Sequence, residues 1–370
     1  RLASRVGAFH LAADRAADDS EFGTPPLVAD PMWRNFTHIR AQLPACDGRL
    51  DKLEGWIGQA LAVLEDTLAQ RRADGHVREC HGDLHLGNIA LIDGKPVVFD
   101  AIEFNPAFRW IDTVNDLAFL TMDLRHRRLR GLAYRLLDRY LAHTGDYAGL
   151  AVLQLYEVYR AMVRAKIAAI RRGQLQAGEE GAEIEAELDA YLALAERLSG
   201  PRRGALVITH GLSGSGKSHH TAVVPDVLPA VRLRSDVERK RLLGIDAHSD
   251  ATVHGGYSAD LTERTYARLA ELAHGVIDAG YIAIVDATFL KRTQRQRFRD
   301  LAGSAQVPFL ILDCEAPEAV IAQWLAQRQA EGLDPSDATM EVVRAQQASR
   351  EPLSDSERLH SCRVQTQDAG

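Results

Sequence analysis

Gly211-Leu212-Ser213-Gly214-Ser215-Gly216-Lys217-Ser218 decides the reading of this chain. The stretch meets the pattern G-x-x-x-x-G-K-[ST] at every fixed position. Ala205 to Thr209, a short β-rich apolar run, stands just before it, and a helix is expected from Lys217 to Leu228. Strand, glycine loop and helix are the setting in which this pattern cradles phosphate. Glycines let backbone N–H groups close around a phosphate chain more tightly than side chains can. The helix N-terminus adds its positive dipole. Gly211, Ser213, Gly214, Ser215 and Gly216 would form the cradle. Lys217 would reach the β- and γ-phosphates of ATP, and the Ser218 hydroxyl would ligate Mg²⁺.

The sequence after this stretch alternates strands and helices, the pattern of a parallel sheet covered by helices. Expected strands are Ala205–Thr209, Ala230–Leu233, Tyr281–Ala287, Val307–Asp313 and a weak Ser361–Gln365. Expected helices are Ala259–Ala279 with Ser258 as cap and Gly280 as stop, Arg292–Ala302, Glu318–Ala330 and Thr339–Ala348. In an open α/β sheet the C-terminal strand ends line the ligand crevice. Asp236 follows the second strand in Arg234-Ser235-Asp236-Val237-Glu238-Arg239, where a general base could take a hydroxyl proton. Arg234 and Arg239 would hold an acidic substrate. Asp286 ends the third strand, a position suited to a Mg²⁺-water contact or to a substrate hydroxyl. The break Arg328-Gln-Ala-Glu-Gly-Leu-Asp334-Pro335-Ser336-Asp337-Ala338 reads as a lid, with Arg328 stabilising charge on the moving phosphoryl group.

Upstream, the sequence is mainly helical. Leu2, Val6, Phe9 and His10 share one helical face, a loop runs from Asp18 to Pro31, and a long helix is expected from Leu50 to Arg72. Then come His81-Gly82-Asp83-Leu84-His85-Leu86-Gly87-Asn88 and Val97-Val98-Phe99-Asp100, joined through an Asp93-Gly94 hairpin turn. Asp83 and Asn88 have the spacing of a kinase catalytic loop. There Asp83 would accept a hydroxyl proton, while Asn88 and Asp100 would hold Mg²⁺. Helices follow over Trp110–Leu124, Leu129–Leu141, Leu150–Arg171 and Glu179–Leu198. Asp112 and Asp116 are expected as buried partners of the Asp83 loop. Arg160, Arg164 and Lys166 read as a solvated or ion-paired helix face. Ser199-Gly-Pro-Arg-Arg-Gly204 is the clearest linker.

Two resemblances attach to these residues. HGDLHLGN followed by VVFD resembles the aminoglycoside phosphotransferase and choline kinase group, in which a small β lobe precedes the catalytic loop. No such lobe is legible before Asp83, which leaves open whether it was lost or never present. GLSGSGKS with RSD, VDAT and the Arg328 to Ala338 stretch resembles P-loop kinases of the polynucleotide kinase, gluconate kinase and zeta-toxin group. The whole chain is similar to bacterial bifunctional aminoglycoside phosphotransferase/ATP-binding proteins. The resemblances imply a kinase-like C-lobe domain with a small β-hairpin over 1–199, a linker over 200–204, and an α/β P-loop kinase domain over 205–370. They imply ATP binding and phosphoryl transfer.

Composition bounds the function. The chain has 370 residues, 46% hydrophobic and 26% charged, with a net charge of −7. Such a balance argues against broad coating of nucleic acid. Cys46, Cys80, Cys314 and Cys362 form no C-x-x-C pair, which points to a reducing compartment without structural zinc. With no membrane-length apolar run and no readable signal peptide, the cytoplasm is expected. The chain opens on Arg1 rather than Met, which leaves a missing natural N-terminus open.

Three functions compete. The first is an ATP- and Mg²⁺-dependent kinase working in the C-terminal domain on a small-molecule or nucleic-acid-end hydroxyl. The second is a small-molecule phosphotransferase run by Asp83 with a regulatory P-loop domain. The third is an ATP-controlled interaction protein. The acceptor and the oligomeric state are not legible.

Overall fold

The computed structural model describes residues 1–43, 47–174, 179–246, 258–331, 336 and 338–365; the side chains at 47, 179–180 and 328–331 are not described. The chain divides into two compact units, Arg1–Pro201 and Arg202–Gly370.

The first unit begins with α1 (Leu2–Ala12), α2 (Pro25–Gln42) and α3 (Asp47–Ala73). α1 buries Ala3, Val6, Gly7 and His10, whereas Phe9 stays exposed. α2 replaces much of the loop expected from Asp18 to Pro31. Pro25 and Pro26 suit a first helical turn, because their missing N–H groups would have had no intrahelical acceptor. The buried stripe Met32, Asn35, Phe36 and Ile39 then outweighs the proline at 31 inside the helix. β1 (Val77–Glu79) pairs antiparallel with β4 (Trp110–Asp112). Between them β2 (Ile89–Ile92) and β3 (Lys95–Val98) form the expected hairpin. Asp93 and Gly94 both take positive φ there, 49° and 68°, as a two-residue hairpin turn demands.

Helices α4 (Thr113–His126), α5 (Arg130–Thr144), α6 (Leu150–Gln174) and α7 (Glu179–Leu198) complete this unit. α6 is its spine, burying Val152, Leu153, Tyr156, Tyr159, Met162 and Ala165. Arg160 departs from the solvated face expected of it. It is buried, with Nε donating to Asn115 Oδ1 at 2.8 Å and Nη1 to the Gly82 carbonyl at 3.0 Å. Arg164 does reach Tyr191 and Glu187.

The second unit is a five-stranded parallel sheet. β5 (Ala205–His210), β6 (Ala230–Arg234), β7 (Ile282–Asp286), β8 (Phe309–Glu315) and β9 (Ser361–Gln365) stand in the order β6-β7-β5-β8-β9. Every pairing is parallel. Leu206, Ile208, Val231, Leu233, Ala283, Val285 and Ile311 are buried, as strands covered on both faces require. Around the sheet lie α8 (Lys217–Ala222), α9 (Ser235–Leu242), α10 (Ala259–Asp278), α11 (Arg292–Ser304), α12 (Glu318–Glu331), α13 (Met340–Ser349) and the short α14 (Asp355–Arg358). Ser258 caps α10 through Leu261 N–H as expected. α8 is shorter than the Lys217 to Leu228 helix expected. Pro225 disfavours helical backbone in the residue before it, so a 3₁₀ turn over Val224–Asp226 follows instead. No helix among the described residues is long and apolar enough to cross a membrane.

Candidate functional site

The glycine loop leaves the end of β5, between β7 and β8. Thr209 ties the neighbouring strand end in place: its hydroxyl donates to the Ala287 carbonyl at 2.6 Å and accepts from Ala287 N–H at 3.0 Å. Gly211 then turns with φ 140°, and a Cβ there would lie 2.3 Å from the Cys314 carbonyl oxygen. No other residue type fits that approach. Gly214 and Gly216 also take positive φ, 80° and 85°. Lys217 folds back over the loop, its ammonium donating to the carbonyls of Leu212 at 2.6 Å and Gly211 at 3.1 Å.

From the far side of the loop, α13 clasps Ser213. Gln346 Oε1 accepts from Ser213 N–H at 2.9 Å, and Gln346 Nε2 donates to Ser213 Oγ at 3.0 Å. Leu212 packs on the apolar cluster of Ile321, Leu325 and Val343, so loop and helices α12 and α13 share one small core.

A cavity of about 980 Å³ opens beside the loop. Its volume is at the upper end of ordinary small-ligand sites. Gly214, Gly216, Lys217 and Ser218 line one part, and Asp236, Asp286, Arg234 and Arg239 line another. The structure therefore brings these sequence-derived candidates to one space. Asp236 sits in the first turn of α9, where Arg239 Nη1 donates to its Oδ1 at 2.9 Å. Asp286 stands opposite Arg234 in the β6–β7 register and is buried. Its Oδ2 has two long contacts, Thr221 Oγ1 at 3.4 Å and Arg234 Nε at 3.8 Å. The Ser218 hydroxyl and the Asp286 carboxylate, which both line this cavity, are hard oxygen donors of the kind Mg²⁺ takes. The Arg328 side chain and residues 332–335 and 337 lie outside the described residues, so the lid expectation does too.

Several lining residues escaped the sequence reading. Arg232 and Lys291 add positive charge, and Trp324, Gln327 and Gln346 close the side formed by α12 and α13. Arg232 was findable, since period-two alternation along β6 puts it on the same face as Arg234. Nothing in the spacing marks Gln346. At the base of the loop, His210 Nδ1 meets Asp313 Oδ1 at 2.6 Å. Burial works to raise the Asp313 carboxyl, yet the hydrogen bond and charge of His210, then Arg350 and Arg363, hold it below the usual carboxylate range.

In the first unit the Asp83 loop is tightly built. Asp116 accepts from His81 N–H at 3.1 Å and Gly82 N–H at 2.9 Å, and pairs with His10 at 3.1 Å. It thus partners the loop as expected, whereas Asp112 binds Arg71 at 2.6 Å and caps α4. Asn88 Nδ2 donates to Asp83 Oδ2 and to the Asp83 carbonyl, each at 3.0 Å. Burial works to raise the Asp83 carboxyl, but the hydrogen bond and charge of His85, then Arg160 and Asn88, leave it below its ordinary value. Asp100 is exposed, with φ 62°, and makes no hydrogen bond or ion pair to Asp83 or Asn88. The buried trio His10, Cys80 and Asp116 gathers ligand-type atoms within 4.8 Å. Both His10 ring nitrogens are already engaged, by Tyr140 and Asp116, so the trio is a structural network.

Comparison with known proteins gives one match within the second unit and others over most of the chain. Residues 206–353 match the family model described as AAA domain. Uncharacterized proteins of Mycobacterium tuberculosis and Mycobacterium bovis are each 28% identical over 349 residues, covering 93% of this chain and 68% of their own length. Among solved structures, an unliganded sugar kinase from Janibacter sp. aligns at 21% identity with a TM-score of 0.31, over 45% of this chain and 86% of that one. The Mycobacterium tuberculosis APS kinase CysC, in complex with AMPPNP and APS, aligns at 22% identity with the same TM-score, over 45% of this chain and 90% of that one. The second unit thus joins a parallel sheet with flanking helices to a glycine loop of the phosphate-binding pattern, and most of it matches the AAA domain model.

Proposed function

We propose that residues 205–370 form an ATP- and Mg²⁺-dependent phosphotransferase domain acting on a hydroxyl acceptor. One observation carries the proposal: a single cavity of about 980 Å³ is lined by the glycine loop with Lys217 and Ser218 and by two carboxylates, Asp236 and Asp286. Phosphoryl transfer asks for little covalent chemistry from a protein. It needs phosphates held in a cradle, charge neutralised, and an acceptor hydroxyl in line.

In this reading the loop N–H groups and Lys217 hold the β- and γ-phosphates, phosphate oxygens taking over the ammonium from the Gly211 and Leu212 carbonyls. Ser218 and Asp286 would hold Mg²⁺, which when bound neutralises developing phosphate charge. Asp236 accepts the proton of the acceptor hydroxyl. The acceptor oxygen bonds to the γ-phosphorus as the bond to the β–γ bridging oxygen breaks, and ADP leaves. Arg234 and Arg239, with Arg232 and Lys291 nearby, suit an acceptor that is itself anionic. Arg328, four residues after Trp324 in α12, is assigned the lid arginine.

The test is labelled ATP with a library of metabolites and oligonucleotides. Asp236→Asn should lower turnover by roughly 10²–10⁴-fold with ATP affinity kept. Unchanged turnover in that variant would remove Asp236 from the mechanism.

A second reading rests on the bond between Asn88 and Asp83 and keeps an aminoglycoside phosphotransferase-like site in residues 1–199. Loss of activity in Asp83→Asn with Lys217→Ala fully active would favour it. ATP that binds and is never turned over would favour nucleotide-controlled interaction instead.

A further inference from the structure

Four arginines of the first unit line a second cavity of about 510 Å³: Arg125, Arg128, Arg130 and Arg197. They come from the ends of three helices and from the turn between two of them. Arg125 lies in the last turn of α4, Arg128 in the turn after it, Arg130 at the first position of α5, and Arg197 in the last turn of α7. The stack of His126 on Tyr191, ring centroids 3.9 Å apart, brings α7 to the end of α4.

Carboxylates close by are committed elsewhere. Asp123 serves Arg127 and Leu86 N–H, and Glu196 serves Arg49. Glu157, fully buried, pairs with Arg125 at 3.1 Å and accepts from Thr121. Arg128, Arg130 and Arg197 make no ion pair among the described residues.

Local preferences oppose this arrangement. Arg128 has φ 62°, and the bonds from Arg128 N–H to Arg125 O and from Leu129 N–H to Leu124 O make it the left-handed residue of a helix C-terminal cap, where glycine is favoured. Arg130 puts positive charge at a helix N-terminus that has no acidic residue in its first turn and no side-chain cap. The charges of Arg125, Arg128 and Arg197 suit the C-terminal ends of α4 and α7, but the backbone of Arg128 and the charge of Arg130 are disfavoured where they stand. Arg128, Arg130 and Arg197 are exposed, so an anion in the cavity would replace water at guanidinium groups that no carboxylate engages.

We propose that this cavity binds a small ligand carrying two or more phosphate groups. The volume suits a small molecule, and planar guanidinium forks match phosphate oxygens. The proposal is independent of the function assigned to the second unit.

The probe is inorganic triphosphate, titrated into the full chain by calorimetry. A Lys217→Ala background suppresses binding at the glycine loop. In that background triphosphate should still bind, more weakly as salt is raised. Arg197→Ala and Arg128→Gly should each weaken binding by roughly tenfold. Arg128→Gly should at the same time raise the melting temperature, because glycine suits the left-handed cap, and this separates lost binding from lost folding. Absence of triphosphate binding in the Lys217→Ala background, or binding indifferent to both arginine substitutions, would overturn the proposal. So would a short single-stranded oligonucleotide binding the same arginines more tightly than triphosphate, since the partner would then be nucleic acid.

Discussion

Glu357→Gln should destabilise the second unit by an amount that can be worked from its contacts. Glu357 is 8% exposed and receives Arg295 Nε at 2.6 Å and Nη2 at 3.2 Å. Ser354 N–H and hydroxyl add donors at 2.8 and 2.9 Å. Arg295, 1% exposed, also donates to the carbonyls of Phe289, Glu351 and Pro352, so it fastens the segment after α13 to α11. Burial works against the charged carboxyl. The hydrogen bond from Arg295, then those from Ser354, nevertheless pull it from 4.5 down to about 2. The folded value lies below the unfolded one, so the stabilisation is fully present above about pH 4.5 and is lost as pH falls toward about 2. That displacement corresponds to about 3 kcal/mol. The substitution should cost about that much at pH 7 and flatten the acid limb between those pH values. Hydrogen exchange at β8 and β9 amides, followed across pH in the full chain, reads this unit specifically. Equal protection in variant and wild type at pH 7, or an unchanged acid limb, would refute the reasoning.

Gln346→Leu removes both bonds to Ser213, so ATP affinity measured by calorimetry should fall by roughly tenfold with melting temperature little changed. Gly211→Ala puts a methyl group 2.3 Å from the Cys314 carbonyl and should leave little folded second unit by circular dichroism. A fragment of residues 202–370 should unfold in one cooperative transition in urea, because it holds a complete sheet with its covering helices.

Much of the second unit was legible because its signals are local. Alternating strand and helix patterns predict a parallel sheet, and β9 spans the expected Ser361–Gln365. The glycine loop could be read residue by residue, since each glycine answers a backbone demand. What stayed hidden depends on tertiary contact. Gln346 lies 133 residues from Ser213, and no spacing rule reaches that far. In the first unit, prolines at 25, 26 and 31 masked α2, although the stripe Met32, Asn35, Phe36 and Ile39 was there to be counted. Arg160 misled because a charged residue on a helix is usually solvated, whereas here Gly82, Asn115 and the Phe119 ring enclose it. The arginine-lined cavity was legible only in part: Arg125, Arg128 and Arg130 stand within six residues, whereas Arg197 joins them from the far end of α7.

The central claim is that ATP is held at Gly211–Ser218, beside Asp236 rather than by it. Calorimetric titration of ATP with Mg²⁺ into wild type, Lys217→Ala and Asp236→Asn tests this most directly. Wild type and Asp236→Asn should bind with nearly equal affinity, and Lys217→Ala should show no detectable binding. Unchanged affinity in Lys217→Ala would contradict the claim and move the nucleotide site elsewhere in the chain.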